Sequence, residues 1–148
     1  RSVDNNLLLL IVTSLALGSV IQITGTANFL SQSLVDFLGE SSPLVFLLCF
    51  YMLVSITTNF ISNNACAVLF TPIAIDIAEK INVDPKVFAI ALIFAVNTSF
   101  ITPLAYQTNL LVMGPGHYKF IDYVKFGLPL TVLCWIVFFV TFPIFYKL

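Results

Sequence analysis

The sequence predicts an all-α membrane protein in which a re-entrant helical hairpin and a broken transmembrane helix interrupt otherwise plain spanning segments. Three observations carry that expectation. Of 148 residues, 59% are hydrophobic and 9% charged, whereas soluble domains carry about 25% charge. The apolar residues fall in runs that can be measured against a bilayer, which a helix crosses in about 20 residues. Two of these runs are interrupted by stretches that are polar but uncharged. A solvated enzyme surface is thereby excluded. So is a nucleic-acid partner, because six Lys and Arg against seven Asp and Glu leave a net charge of −1 and no basic stripe. Cys49, Cys66 and Cys134 lie inside apolar runs without metal-site or disulfide spacing, and are read as core thiols.

Residues 3–24, uncharged after Asp4, fit one spanning helix. The run is too long for the apolar region of a signal peptide and no small-residue cleavage pattern follows it. Because the chain opens without Met directly before a span, it is expected to be a fragment of a longer protein. Gly25 ends the span and Thr26 is placed to cap the next helix. Over 27–38, Phe29, Leu30, Leu34, Phe37 and Leu38 alternate with Asn28, Gln32 and Asp36 at helical spacing, the pattern of an amphipathic interfacial helix. Pro43 then stands at a helix start.

Leu44 to Ile75 carries no charge but is broken by Ser55, Thr57, Thr58, Asn59, Ser62, Asn63 and Asn64. The returning arm, Ala65 to Ile75, would span roughly 16 Å of helix, half the hydrocarbon thickness. Residues 43–80 are therefore expected to form a re-entrant hairpin with Ser62 to Asn64 near mid-membrane, where irregular backbone is tolerated only inside protein or beside a watery cavity. The alternative, two spanning helices joined by a polar loop, would place Asp76 and Glu79 in lipid. Asp76 to Lys86 reads as a charged loop, with Asp76 facing water. The uncharged stretch within 86–116 is too long for one straight span and is interrupted at Thr102 to Asn109, so it is expected to be two half-helices ended by Gly114-Pro115-Gly116. His117 to Lys125 reads as an interfacial connection with an ordinarily solvated His117, and 127–146 as the final span. Arg1, Lys119 and Lys125 mark one side as cytoplasmic, so the hairpin opens outward.

Two uncharged polar discontinuities in so short a stretch point to a transport site. At the hairpin tip Ser62, Asn63 and Asn64 offer donors, and the N–H groups of Ala65 and Cys66 open the returning helix, together an anion cradle. Carbonyls around Thr58 and Ser62, where the first arm ends, carry the opposite polarity and suit Na⁺. In the second break, the carbonyls of Ala105, Tyr106, Gln107, Thr108 and Asn109 could complete the cation site while the hydroxyl and amides face the anion. No Lys, Arg or His lies in either feature. An anion held there must be neutralised by co-bound cations and dipoles, since an unpaired charge in low dielectric costs several kcal/mol. That argues for cation-coupled anion transport over a simple pore. A scaffold whose polar kinks serve only helix packing is the alternative of another class. An intramembrane enzyme lacks an acid, base and nucleophile set.

The string Thr58-Asn59-Phe60-Ile61-Ser62-Asn63-Asn64-Ala65, followed by Pro72-Ile73-Ala74, resembles the second Ser-Asn-Thr signature of the divalent anion:sodium symporters, the sodium-coupled sulfate and dicarboxylate carriers. Thr102-Pro103, Tyr106-Gln107-Thr108-Asn109 and Gly114-Pro115-Gly116-His117-Tyr118-Lys119-Phe120 with Asp122-Tyr123 resemble the sulfate-permease-like branch, whose members often carry cytosolic regulatory domains. The likeness covers nearly the whole chain. It implies the second of two inverted repeats of a secondary transporter, an elevator-like motion of hairpin and broken helix, and a site completed by the first repeat. It further implies that Asn63 and Asn64 touch a small anionic substrate and that Thr58, Ile61, Asn63 and Ala105 coordinate one co-transported Na⁺, largely through backbone oxygens. Ser62, Tyr106, Gln107, Thr108 and Asn109, picked out by the two discontinuities, are the further substrate candidates. A homodimer in the plasma membrane is the expected assembly. Asn64 stands where the family commonly has Thr, and Tyr106-Gln107-Thr108-Asn109 where dicarboxylate carriers usually show Thr-Pro-Pro-Asn. These departures favour sulfate or a similar divalent inorganic anion over a dicarboxylate such as succinate, which is the second expectation.

Overall fold

A computed structural model of the chain describes residues 13, 16, 20, 23–39, 41–104 and 106–146. The span expected over 3–24 lies almost wholly outside the described residues, and Glu40 and Ala105 lie outside them too. The described chain is helical: α1 (Thr26–Leu38), α2 (Pro43–Thr57), α3 (Asn63–Lys80), α4 (Pro85–Val96), α5 (Gln107–Met113) and α6 (Phe120–Phe145). Among the described residues one helix, α6, is long and apolar enough to cross a membrane, while α2 and α4 are shorter apolar helices.

The boundaries follow local chemistry. Gly25, at φ 72°, turns the chain into α1, a left-handed conformation that glycine adopts without strain. Thr26 is the first helical residue rather than the cap. Pro43 and Pro85 each occupy a helix start, where the missing N–H is no loss. The N–H of Lys86 donates to Asp84 Oδ1 at 2.9 Å, closing the entry to α4. α5 stops at Met113, directly before Gly114-Pro115-Gly116. α6 begins seven residues earlier than the span expected from Gly127, because Asp122 Oδ2 accepts from the Lys119 N–H at 2.8 Å and secures the first turn.

The returning helix is also longer than expected. α3 has 18 residues, about 27 Å, and runs through Asp76 and Lys80 instead of ending at Ile75. Asp76 is therefore not simply water-facing. Its Oδ2 lies 3.0 Å from Lys80 Nζ one turn on and accepts from the Ser31 hydroxyl of α1. Lys80 in turn donates to Asn28 Oδ1 and Ser31 Oγ, both at 2.7 Å. This cluster pins the amphipathic helix α1 to the end of α3.

The core lies between α2, α3 and α4, with α4 packed against both of the others and α1 against α3. Phe50 is its centre, with ring centroids 5.6 Å from Phe88 and 6.1 Å from Phe70. α6 docks on α2 through Tyr51, whose ring stacks on Phe138 at 3.8 Å and 8°, a contact of about 0.5–1.5 kcal/mol beyond its area. Of the three cysteines, Cys66 is buried and Cys49 and Cys134 are half-buried.

Near its start α6 also meets the irregular segment that follows α4. A Cβ added to Gly127 would overlap the Phe100 carbonyl group and lie 2.9 Å from Ile101 Cα, so only glycine permits this backbone-to-backbone approach. Gly127→Ala should lower the thermal stability of the intact membrane protein by about 1–3 kcal/mol. Gly114→Ala, where the new methyl meets open space, should change it by no more than about 0.5 kcal/mol. Thermal denaturation of the detergent-solubilised protein checks both.

Candidate functional site

The site is built where α2 ends and where the chain leaves α4. The last turn of α2 tightens: the N–H groups of Asn59, Phe60 and Ile61 bond back to Ile56 at 3.1 Å and to Thr57 at 3.0 and 3.1 Å. After this turn, Ser62 caps α3, its Oγ accepting from the Ala65 N–H at 3.3 Å. Among the described residues, the carbonyls of Thr58 and Ile61 take no backbone hydrogen bond. Two carbonyl oxygens at a helix C-terminus, three residues apart, are hard, partly negative ligands suited to a small cation.

Thr58 is fully buried. Its hydroxyl lies 2.9 Å from Asn63 Oδ1 and 3.1 Å from the Val96 carbonyl, so one proton serves both. This bridges the two arms around the turn and ties them to the end of α4. With Asn63 Oδ1 occupied by Thr58, the amide keeps its NH₂ group for a guest, and that is the end an anion needs. Asn63 is half-buried, whereas Ser62 and Asn64 are exposed and Ile61 is 39% exposed. No residue from Leu44 to Ile75 or from Val87 to Gly116 carries a charge.

The second interruption is displaced from its expected place. α4 ends at Val96, helical structure resumes at Gln107, and the irregular stretch is residues 97–106 rather than 102–109. Gln107, Thr108 and Asn109 therefore sit in the first turn of α5. Tyr106 is the residue before it, its carbonyl accepting from the Asn109 N–H at 3.0 Å. Tyr106 and Thr108 are exposed. Asn109 is half-buried, with Nδ2 3.5 Å from the carbonyls of Ser99 and Thr102 and its own carbonyl accepting from Tyr123 Oη at 2.8 Å. Ala105, the expected fourth sodium ligand, lies outside the described residues.

Two groups absent from the expected site hold the interruptions together. Asn59, 1% exposed, donates to the Ser55 carbonyl at 2.7 Å and accepts at Oδ1 from the Ile101 N–H at 2.8 Å. Its own carbonyl accepts from the Thr102 hydroxyl. Next to it, Trp135 Nε1 donates to Ser55 Oγ at 2.8 Å, and Ser55 Oγ lies 2.5 Å from Thr98 Oγ1. The sequence signal for both was a polar side chain inside an apolar run. Their partners lie 42 and 80 residues away in the chain, beyond the reach of any local pattern.

Apolar helices joined by uncharged polar turns, as the described residues show, are the makings of a membrane transport protein. The chain belongs to the citrate transporter family, which matches it over residues 1–148. It is 37% identical over 128 residues to an uncharacterized transporter of Synechocystis, covering 86% of this chain and 21% of that protein. It is 36% identical over 139 residues to the uncharacterized transporter YfbS of Escherichia coli, covering 94% and 23%. It is 25% identical over 130 residues to sodium/sulfate cotransporter 1 of Chlamydomonas reinhardtii, covering 87% and 15%. The chain thus spans about a fifth of the length of the first two of these relatives. The family and these relatives are transporters rather than enzymes, which makes the chain that of an integral membrane protein.

The Trp135 bond allows a direct check of how the last helix is held. Trp135→Phe deletes the donor together with the five-membered part of the indole, leaving Ser55 one bond short, which should destabilise the intact protein by about 1–2 kcal/mol. Thermal denaturation should show that loss, and a variant as stable as the parent would mean the bond contributes nothing.

Proposed function

We propose that this chain is the second inverted repeat of a sodium-coupled carrier that takes up sulfate or a similar divalent inorganic anion across the plasma membrane. The observation that carries the reading is the Thr58–Asn63 pair. At one uncharged turn, it sets the carbonyl end of α2 beside the amide-bearing start of α3. The α2 end, with the Thr58 and Ile61 carbonyls, serves Na⁺, with the backbone oxygens of Asn63 and Ala105 as its further ligands. The α3 start, with Ser62, Asn63 and Asn64, serves the anion, and Tyr106, Gln107, Thr108 and Asn109 complete it. The sodium/sulfate cotransporters among the relatives support both the ion and the substrate.

In the full carrier the hairpin formed by α2 and α3 enters the membrane from outside and returns, and α4 and α5 are the halves of one broken helix. The first repeat supplies the rest of the site, and two copies of the carrier form the working dimer. A carboxylate substrate is the second reading, favoured by the family's description as citrate transporters. Sulfate is preferred because Asn64 and Tyr106-Gln107-Thr108-Asn109 depart from the dicarboxylate pattern.

The test is uptake of labelled sulfate and labelled succinate by the full-length carrier, with and without Na⁺. Sodium-dependent sulfate uptake should be seen, and Asn63→Ala with Asn64→Ala should reduce it at least about 100-fold, as expected when two amide hydrogen bonds to a charged group, each about 1.5–3 kcal/mol, are lost, with normal membrane insertion. Uptake that survives both substitutions would remove the site. Succinate uptake in place of sulfate would select the carboxylate reading. A correctly inserted wild-type protein that moves neither would leave only a scaffold.

A further inference from the structure

We propose that Asn59 and Thr102 are positioning residues of the cation site, fixing the Thr58 to Ile61 turn without touching the ion. The inference rests on the sodium reading above. Asn59 lies between the two candidate ligand carbonyls, those of Thr58 and Ile61, and it is held from three directions. Its NH₂ group donates to the Ser55 carbonyl at 2.7 Å and approaches the Thr98 carbonyl at 3.4 Å. Its Oδ1 accepts from the Ile101 N–H at 2.8 Å. Its backbone carbonyl accepts from the Thr102 hydroxyl. A peptide plane anchored at its carbonyl cannot rotate freely, and the planes on either side of Asn59 carry the carbonyls of Thr58 and of Asn59 itself.

The consequence concerns ion binding more than folding. A cation gripped by carbonyls needs them converging at a set distance before it arrives. If they are not held there, part of the binding energy goes into ordering the turn. Asn59 is suited to this because it is neutral: a carboxylate at this depth would itself compete for the cation, whereas an amide bonds the turn at both ends and adds no charge. Thr102 works at one remove, through the Asn59 carbonyl, and couples the turn to the irregular segment after α4. Ion occupancy is thereby linked to the conformation of both interruptions.

The test is the sodium dependence of sulfate uptake by the full-length carrier in vesicles, with the sulfate KM measured separately at saturating Na⁺. Thr102→Val removes the hydroxyl at nearly constant volume and should raise the sodium concentration for half-maximal uptake about five- to tenfold, the effect of one buried hydrogen bond. The sulfate KM at saturating sodium should stay within about twofold of the parent, because the anion-binding amides are not touched. Thr102→Ser, which keeps the hydroxyl, should restore the parental sodium dependence. Asn59→Leu should give a larger shift in the same direction, and if it fails to insert, the Thr102 pair decides alone. A Thr102→Val carrier with lower maximal uptake but an unchanged sodium curve would overturn the proposal, since that is what a purely structural role would produce. Wild-type sulfate uptake indifferent to Na⁺ would overturn the sodium reading and this inference with it. Sodium-dependent wild-type uptake with unshifted variants would overturn this inference alone.

Discussion

The structure depends on how one buried amide satisfies backbone that helices leave open. Between α2 and α3, and again after α4, the chain abandons the helical ladder within an apolar protein. In such surroundings an unpaired N–H or carbonyl costs several kcal/mol. Asn59 answers for both interruptions together: its side chain replaces lost bonds at Ser55 and Ile101, and its carbonyl takes up Thr102. Each break is tolerable because the other lies against it. From this follows the requirement for glycine at 127. The irregular segment is anchored to Asn59 at Ile101 and Thr102, so it presents bare backbone at Phe100 to α6, and α6 can approach it only where no Cβ intervenes. In a bilayer, lipid tails compete on equal terms with apolar side chains, so close packing and hydrogen bonds between helices must carry the association. Gly127, the Tyr51–Phe138 stack and the Trp135–Ser55 bond are the forms these take on α6.

A second polar cluster works at the outer edge of the fold by different means. There Lys80, Asp76, Ser31 and Asn28 join α3 to α1 through a half-exposed ion pair and its hydrogen bonds. Asp76 and Lys80 are one helical turn apart, which favours continuing α3 through both, and their shared partner Ser31 draws α1 onto that turn. Phe29 and Phe37 of α1 remain widely exposed, so α1 keeps an apolar side that α3 does not cover. The centre of the chain is thus held by neutral amides and hydroxyls and its edge by charges, in keeping with the cost of desolvating each.

Much of this was legible in the sequence where the signal is local. Pro43 marks its helix start because the N–H it lacks is not needed in the first turn, and Gly114-Pro115-Gly116 marks the end of α5. Pro85, inside the stretch expected to be a charged loop, instead starts α4. The Ser62-Asn63-Asn64 turn shows as three polar residues inside an apolar run. The failures share a different cause. α3 outruns its expected end because Asp76 reads as water-facing until Ser31, 45 residues away, supplies a bond. The second interruption begins at Asn97 because Thr98 and Ile101 bond across to Ser55 and Asn59, while Thr102 to Asn109 carried the more visible run of polar residues and Pro103. The weight of Asn59 itself could not be read at all, since a lone amide beside Thr58 looks the same whether it binds a guest or holds a turn.

On the reading proposed above, the lack of any charged residue in the two segments that carry the interruptions, Leu44 to Ile75 and Val87 to Gly116, becomes the basis of coupling. Helix ends contribute only partial charges, about half an elementary charge each, and amides contribute dipoles. Neither can neutralise a divalent anion, nor can the carbonyl cluster around Thr58 and Ile61 tolerate losing its cation once an anion sits beside it. Either ion alone would leave a net charge in a low-dielectric setting, which raises the energy of the singly occupied states. The empty site and the site filled by anion and cations together are the states that avoid that cost. A rigid unit able to cross the membrane only in those two conditions carries the ions together, with no requirement for a Lys or Arg that would bind the anion in their absence.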